Sequence, residues 1–242
     1  RLTWWPLAPA LIAAVAWWLL LARGWALLAT GRAERPDIAQ WCRTQVLRYL
    51  PGGFWAPVSR ATVLRGSALD RVSTVLAENV IAVCTAVAVG GLGLAASGRP
   101  AWALTVAALA GPGLALRVLG DRTRLAPDRT RRAMGNDIVA FLAYAGAAVA
   151  VQSAVSGLSH PLAVAGGAAI AWAAGLVVII APGGLGVREL VYVAVLSSTL
   201  PADDLTAGAL TMRVVMIAAE LAVLVVVGVP RGTRASASEP YA

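Results

Sequence analysis

The stretch A-P-G-G-L-G-V-R-E-L, Ala181 to Leu190, ends one long apolar run and opens another. Pro182 has no amide hydrogen to give to a helix, and Gly183, Gly184 and Gly186 are poor helix formers, so a helix entering here stops. Arg188 and Glu189 then place two charges just beyond the break. Irregular backbone and charge at membrane depth are tolerated where they line a protein cavity. The stretch therefore reads as a broken or re-entrant segment of a helical membrane protein, with a polar site at the break.

Composition agrees. Of 242 residues, 59% are hydrophobic and 13% charged, against roughly 25% charged in a soluble domain. All twenty basic residues are arginines. The net charge of +8 reads as membrane topology rather than as a nucleic-acid surface. Cys42 and Cys84 lack metal-ligand or redox spacing, and His160 stands alone before Pro161, so no metal or cofactor is expected.

A hydrocarbon core of ~30 Å needs about 20 apolar residues as a helix. Runs of that kind lie at about 4–30, 72–96, 101–119, 136–155, 162–180, onward from the break to about 200, and 205–229. These predict an all-α integral membrane protein with seven spans, residues 1–229 forming a single transmembrane domain. Residues 230–242 read as a disordered tail. Between the first two spans, Ile38, Trp41, Cys42, Val46 and Tyr49 recur at helical spacing opposite Arg43 and Arg48, which predicts an amphipathic helix lying in the interface.

Arginines fall in alternate connections. Residues 30–71 hold seven, 117–132 six and the tail two, whereas 97–100 and 156–161 hold Arg99 alone. The positive-inside rule makes the arginine-rich side cytoplasmic. The C-terminus is then inside and Arg1 outside, and the expectation is one further span upstream, eight in all.

Charges inside spans cost at least ~2.5–3.5 kcal/mol each on insertion scales. Glu78, Arg188, Glu189, Arg213 and Glu220 are such residues, and Arg60 lies close to an earlier P-G-G at Pro51, Gly52 and Gly53. Arg213 and Glu220 share a helix face but stand about 10.5 Å apart along the axis, so each needs a partner on another helix. A cross-helix network of Arg188, Glu189, Arg213 and Glu220 is the simplest closure. At the break, the amides of Gly183, Gly184 and Leu185 and a helix restarting near Gly186 would face an anion together with Arg188. Gly111 to Gly113 read as a plain kink, Asp203 and Asp204 as caps of the last helix, and Arg23 as an interface anchor.

Taken in order, R-Y-L-P-G-G-F-W-A-P-V-S-R at 48–60, Glu78, G-L-V-V-I-I-A-P-G-G-L-G-V-R-E at 175–189 and R-V-V-M-I-A-A-E at 213–220 resemble the lysylphosphatidylglycerol synthase transmembrane-region family. This is the flippase-type membrane half of bacterial multiple peptide resistance factors and of stand-alone relatives, and the likeness spans about residues 20–228. It implies a protein of the bacterial cytoplasmic membrane that moves lipid between leaflets. The implied substrate-handling groups are Pro51 to Gly53, Arg60, Glu78, Pro182 to Gly186, Arg188, Glu189, Arg213 and Glu220. The best-known members carry aminoacylated phosphatidylglycerol and continue into a soluble synthase domain. This sequence holds no such domain, which leaves the substrate open, and a polyprenyl-phosphate-linked sugar is equally compatible with the anion site.

Three functions are compatible with these features. A flippase would hold a phosphate headgroup in the anion site while the acyl chains stay in the bilayer. A membrane enzyme on a lipid-linked donor would need an acid-base or metal constellation, and the outer loops offer Asp203 and Asp204 alone. A non-transporting partner of an envelope biosynthetic complex, or a homo-oligomeric scaffold, would not need so many intramembrane charges. The flippase expectation is the strongest, with a phosphate-bearing lipid as partner. No G-x-x-x-x-G-K-[ST] loop is present, so any energy input comes from a gradient, the membrane potential or downhill lipid flow.

Overall fold

The computed structural model describes residues 3–50, 55–64, 66–101, 103–108, 126–178 and 181–228. The described residues are helices and turns with no strand. In chain order they are α1 (Leu7–Thr30), α2 (Arg35–Gln45), a 3-10 turn (Val46–Tyr49), α3 (Trp55–Val63), α4 (Ala68–Ala96), α5 (Pro127–Ser156), α6 (Pro161–Val177), a second 3-10 turn (Pro182–Gly184), α7 (Val187–Leu196) and α8 (Ala202–Val223). Helix α8 continues through a π-helical turn at Leu224–Gly228. Residues 103–108 are also helical.

Among the described residues, four helices are long and apolar enough to cross a membrane: α1, α4, α5 and α8 with its extension. The protein is a multi-pass, all-α membrane protein. Its outer surface carries Leu142, Leu162, Leu210, Val214, Leu221 and Val225, each more than half exposed. In water such a surface would drive aggregation; in a bilayer it is the solvated face.

Seven full-length spans were expected, and the described residues differ in two places. Helix α6 has 17 residues and α7 has 10, about 26 Å and 15 Å long. Neither reaches full span length because the Pro-Gly-Gly turn interrupts the run. The two helices instead pack against each other as a hairpin. The other expected span, 101–119, lies largely outside the described residues, as do the kink at Gly111 to Gly113 and the tail at 230–242.

Backbone and side-chain bonds sort the helix ends onto two faces. On one, the Thr3 amide donates to the Ala154 carbonyl. There too Arg99 reaches the Val195 carbonyl and the hydroxyls of Ser198 and Thr199, joining the end of α4 to the turn after α7. On the other face, Gly31 sits beside the Arg129 guanidinium and Arg35 donates to the Val226 carbonyl. Helices α1 and α5 are therefore antiparallel, and they form the most extensive pairing in the molecule. Helices α4 and α6 approach closely through Gly90 and Gly166. An added Cβ at Gly166 would lie 2.7 Å from the Gly90 carbonyl oxygen. Small residues at such a crossing let backbones touch where lipid provides no hydrophobic drive.

Helix α2 corrects one face assignment. Trp41 and Cys42 are buried as expected, but Val46 and Tyr49 are 48% and 39% exposed. The helix tightens to 3-10 geometry at Val46, advancing about 120° per residue in place of about 100°. Within that turn Arg48, read as a surface residue, reaches the buried Glu220 carboxylate, and the partly exposed Tyr49 follows it with its hydroxyl. Asp203 and Asp204 do lie in the first turn of α8, but Pro201 occupies the cap and no side chain bonds to it. Their contribution is charge near a helix N-terminus.

Candidate functional site

Two adjoining cavities lie among these helices and share Arg48, Gly183 and Arg188 in their walls. The first, of about 60 Å³, is bounded by α5, α6, α7 and α8; its lining includes Ala148, Ala168, Tyr144, Met212 and Met216 with Glu189 and Arg213. The second, of about 110 Å³, is bounded by α1, α2, α3, α4, α5 and α6. Four indoles line it, Trp17, Trp18, Trp41 and Trp172, together with Arg60, Glu78, Asn79 and Asp137.

Three arginines around the cavities are paired. Arg48 Nη2 donates to Glu220 Oε2 at 2.7 Å, and the Tyr49 hydroxyl donates to the same oxygen at 2.7 Å. Arg60 Nε lies 3.1 Å from Glu78 Oε2, while Trp41 Nε1 donates to Glu78 Oε1 at 2.6 Å. The Arg60 contact has ion-pair distance without hydrogen-bond alignment, since both its atoms lack a directed partner. Arg213 Nη1 donates to Glu189 Oε1 at 2.7 Å. Burial raises the Tyr49 hydroxyl above its ordinary range against the pull of Arg48, which keeps it a donor to Glu220.

The pairing differs from a single network of Arg188, Glu189, Arg213 and Glu220. Glu189 meets Arg213, but Glu220 meets Arg48 and Tyr49 from the turn after α2, both at its Oε2. Arg188 makes no ion pair among the described residues, and its Nε has no hydrogen-bond partner. Its guanidinium lies 5.5 Å from the centre of the Trp172 ring. Gly175 makes room for it, because an added Cβ there would overlap the Arg188 side chain; one at Gly184 would lie 2.8 Å from Arg188 Nε. The two glycines make room for this guanidinium at the wall between the cavities.

The Pro-Gly-Gly turn itself donates less than its sequence promised. The amides of Gly184 and Leu185 are consumed within the turn, bonding to the carbonyls of Ala181 and Pro182. Gly183, Gly184 and Gly186 all have positive φ, which compresses the break into a tight turn instead of an open loop. Helix α7 restarts at Val187 after Gly186, with no side chain capping its first amides. The positive helix end and Arg188 therefore remain as anion-attracting groups.

Of the residues read from sequence, Arg60, Glu78, Gly183, Gly184, Arg188, Glu189 and Arg213 line the two cavities. Glu220 touches them through Arg48, whereas Gly186 and Pro182 support the turn. Pro51, Gly52 and Gly53 lie outside the described residues. Sequence reasoning passed over Arg48, Tyr49, Asp137 and the four indoles. Asp137 stands at the start of an apolar run; it is 5% exposed and accepts a hydrogen bond from the Asn136 side-chain amide at 3.2 Å. No group of three or more His, Cys, Asp or Glu placed to hold a metal occurs among the described residues.

Comparison of the chain with protein-family models and with curated proteins returned no match.

Proposed function

We propose that this protein moves a phosphate-bearing lipid between membrane leaflets, holding the phosphate at the wall shared by the two cavities. The observation that carries this reading is Arg188: a cation without a carboxylate partner among the described residues, placed at a helix N-terminus inside a membrane protein. Such a charge is costly unless it meets an anion, and a guanidinium matches phosphate oxygens in geometry as well as charge. Each cavity sets charged side chains beside apolar ones, which suits a ligand with one polar and one greasy end.

In this reading the protein is a relative of the lysylphosphatidylglycerol synthase transmembrane-region family in a bacterial cytoplasmic membrane, as its motifs imply. The arginine-rich face, bearing Arg32, Arg35, Arg129 and the C-terminus, is cytoplasmic. The protein acts as a transporter and not as an enzyme.

Mass spectrometry of co-purifying lipids tests the proposal. One phosphate lipid enriched with the wild-type protein and lost from Arg188→Ala is the expected result. A bulk-membrane lipid profile in both proteins would remove the support for transport and leave a scaffold role.

A further inference from the structure

Two carboxyls line the second cavity, and their surroundings differ. Glu78 and Asp137 each lie ten residues into their helices, α4 and α5, about 15 Å along the axis. Glu78 has Arg60 Nε at 3.1 Å and accepts from Trp41 Nε1. Asp137 is 5% exposed and makes no ion pair among the described residues. Its Oδ1 accepts from the Asn136 side chain at 3.2 Å, and that amide also donates to the Leu20 carbonyl. Asn136 is neutral, so it solvates the carboxyl without balancing its charge.

The helices packed around Asp137 bring it no free cation. Helix α1 presents Gly24, where an added Cβ would overlap Asp137 Oδ1, while the neighbouring Arg23 is exposed. Helix α4 presents Glu78, a second acid. On α5 itself, Arg131 and Arg132 are exposed. Helix α6 presents the indole of Trp172, and α8 carries Arg213 and Glu220, engaged with Glu189 and Arg48. Of the three arginines that line the cavity, Arg48 and Arg60 are also engaged with carboxylates. Arg188 is the third, and it makes no ion pair among the described residues. A cavity of about 110 Å³ therefore holds one unmatched cation and one unmatched acid.

We propose that Asp137 binds a proton when the lipid phosphate settles at Arg188, so that movement of the lipid is coupled to movement of a proton. The proposal rests on the phosphate-lipid reading above and adds the coupling ion to it. In the empty cavity the charges of Arg188 and Asp137 offset each other. A singly charged phosphodiester at Arg188 takes over that cation and faces the carboxylate as a like charge, which is expensive inside a membrane protein. One proton removes the repulsion: an O–H bond forms on the carboxyl oxygen that Asn136 does not hold. The site is then electrically neutral both empty and loaded. Loaded without the proton, it would carry a net negative charge.

Calorimetry on the full chain in nanodiscs tests this, titrating short-chain phosphatidylglycerol in buffers of different ionisation enthalpy to count the protons taken up. The phosphodiester probe keeps a single charge between pH 6 and pH 8, so any uptake belongs to the protein. The wild type is expected to take up about one proton per lipid, which makes its affinity rise about tenfold for each pH unit of acidification. Asp137→Asn keeps the shape and is permanently neutral. It is expected to bind at pH 8 about as tightly as the wild type does at pH 6, with no proton uptake; a merely structural carboxyl would give no such gain. The wild-type proton count is read first, so it decides the coupling even if the variant does not fold. Wild-type binding that is independent of pH, or that follows sodium concentration instead, overturns the proposal and leaves the phosphate site standing. Uptake that persists in Asp137→Asn overturns the assignment to Asp137. Equal binding by the wild type and Arg188→Ala at both pH values overturns the phosphate reading as well.

Discussion

Arg213 Nη1 donates to Glu189 Oε1 at 2.7 Å, tying the middle of α8 to the first turn of α7 across 24 residues of sequence. Both side chains are 20% exposed, so the pair is shielded but not fully desolvated. It holds the helix that carries Arg188 against the first cavity.

Replacing one partner leaves the other as an isolated charge beside apolar groups. Arg213→Met and Glu189→Leu are each expected to destabilise the fold by about 1–3 kcal/mol, read as a lower melting temperature in detergent. The exchange Arg213→Glu with Glu189→Arg should recover at least half of the loss. No recovery would mean that the pair is incidental to stability.

Gly175→Ala probes the space around Arg188. The new methyl would overlap the Arg188 side chain, and packed interiors give way at a cost of about 1–3 kcal/mol. Displacement of the guanidinium should weaken binding of inorganic phosphate or a phosphate lipid more than it lowers the melting temperature. Gly135→Ala is the control, because an added Cβ there meets nothing within 4 Å.

Cys42 offers a test of burial with a pH dependence. It is 3% exposed, and burial pushes its thiol up from 9.0 to about 11, helped by the Glu220 carboxylate and opposed by a backbone hydrogen bond. In a Cys84→Ala background, maleimide at pH 7.5 should label it far more slowly than an exposed cysteine, since the thiolate is the nucleophile. A raised thiol pKa contributes stability that is fully present below pH 9 and is lost as pH rises through 11. The loss is on the order of 2–3 kcal/mol. Rapid labelling of the folded protein would show that α2 does not pack as described.

The two faces predict sidedness. Single cysteines at Ser159 and Arg32 stand on opposite faces, the first with the end of α5 and the second with the end of α1. A membrane-impermeant thiol reagent applied to intact cells should modify Ser159→Cys and spare Arg32→Cys until the cells are opened. Labelling of both from outside would contradict the positioning of the helices across the bilayer.

The spans of α1, α4, α5 and α8, the interruption at Pro182 to Gly186 and the concentration of arginines in alternate connections were legible in the amino-acid order. Each depends on a local property: a run of apolar side chains, a proline without an amide hydrogen, or a basic residue between runs. Glu78, Glu189, Arg213 and Glu220 could be singled out for the same reason, because a charge inside an apolar run is visible without knowing its neighbours.

Which charges meet was decided by tertiary structure alone. Arg48 and Glu220 are 172 residues apart, and a turn from α-helical to 3-10 geometry chose the direction in which Arg48 points. Asp137 looked like the edge of a span, whereas α5 begins at Pro127 and carries it ten residues inward, beside Gly24. Arg188 makes no ion pair among the described residues, whereas Glu189, Glu78 and Glu220 meet Arg213, Arg60 and Arg48. Local sequence determines where a helix runs and where a charge is expensive. The partner that offsets the charge is set by helix packing, which brings together residues that no spacing rule relates.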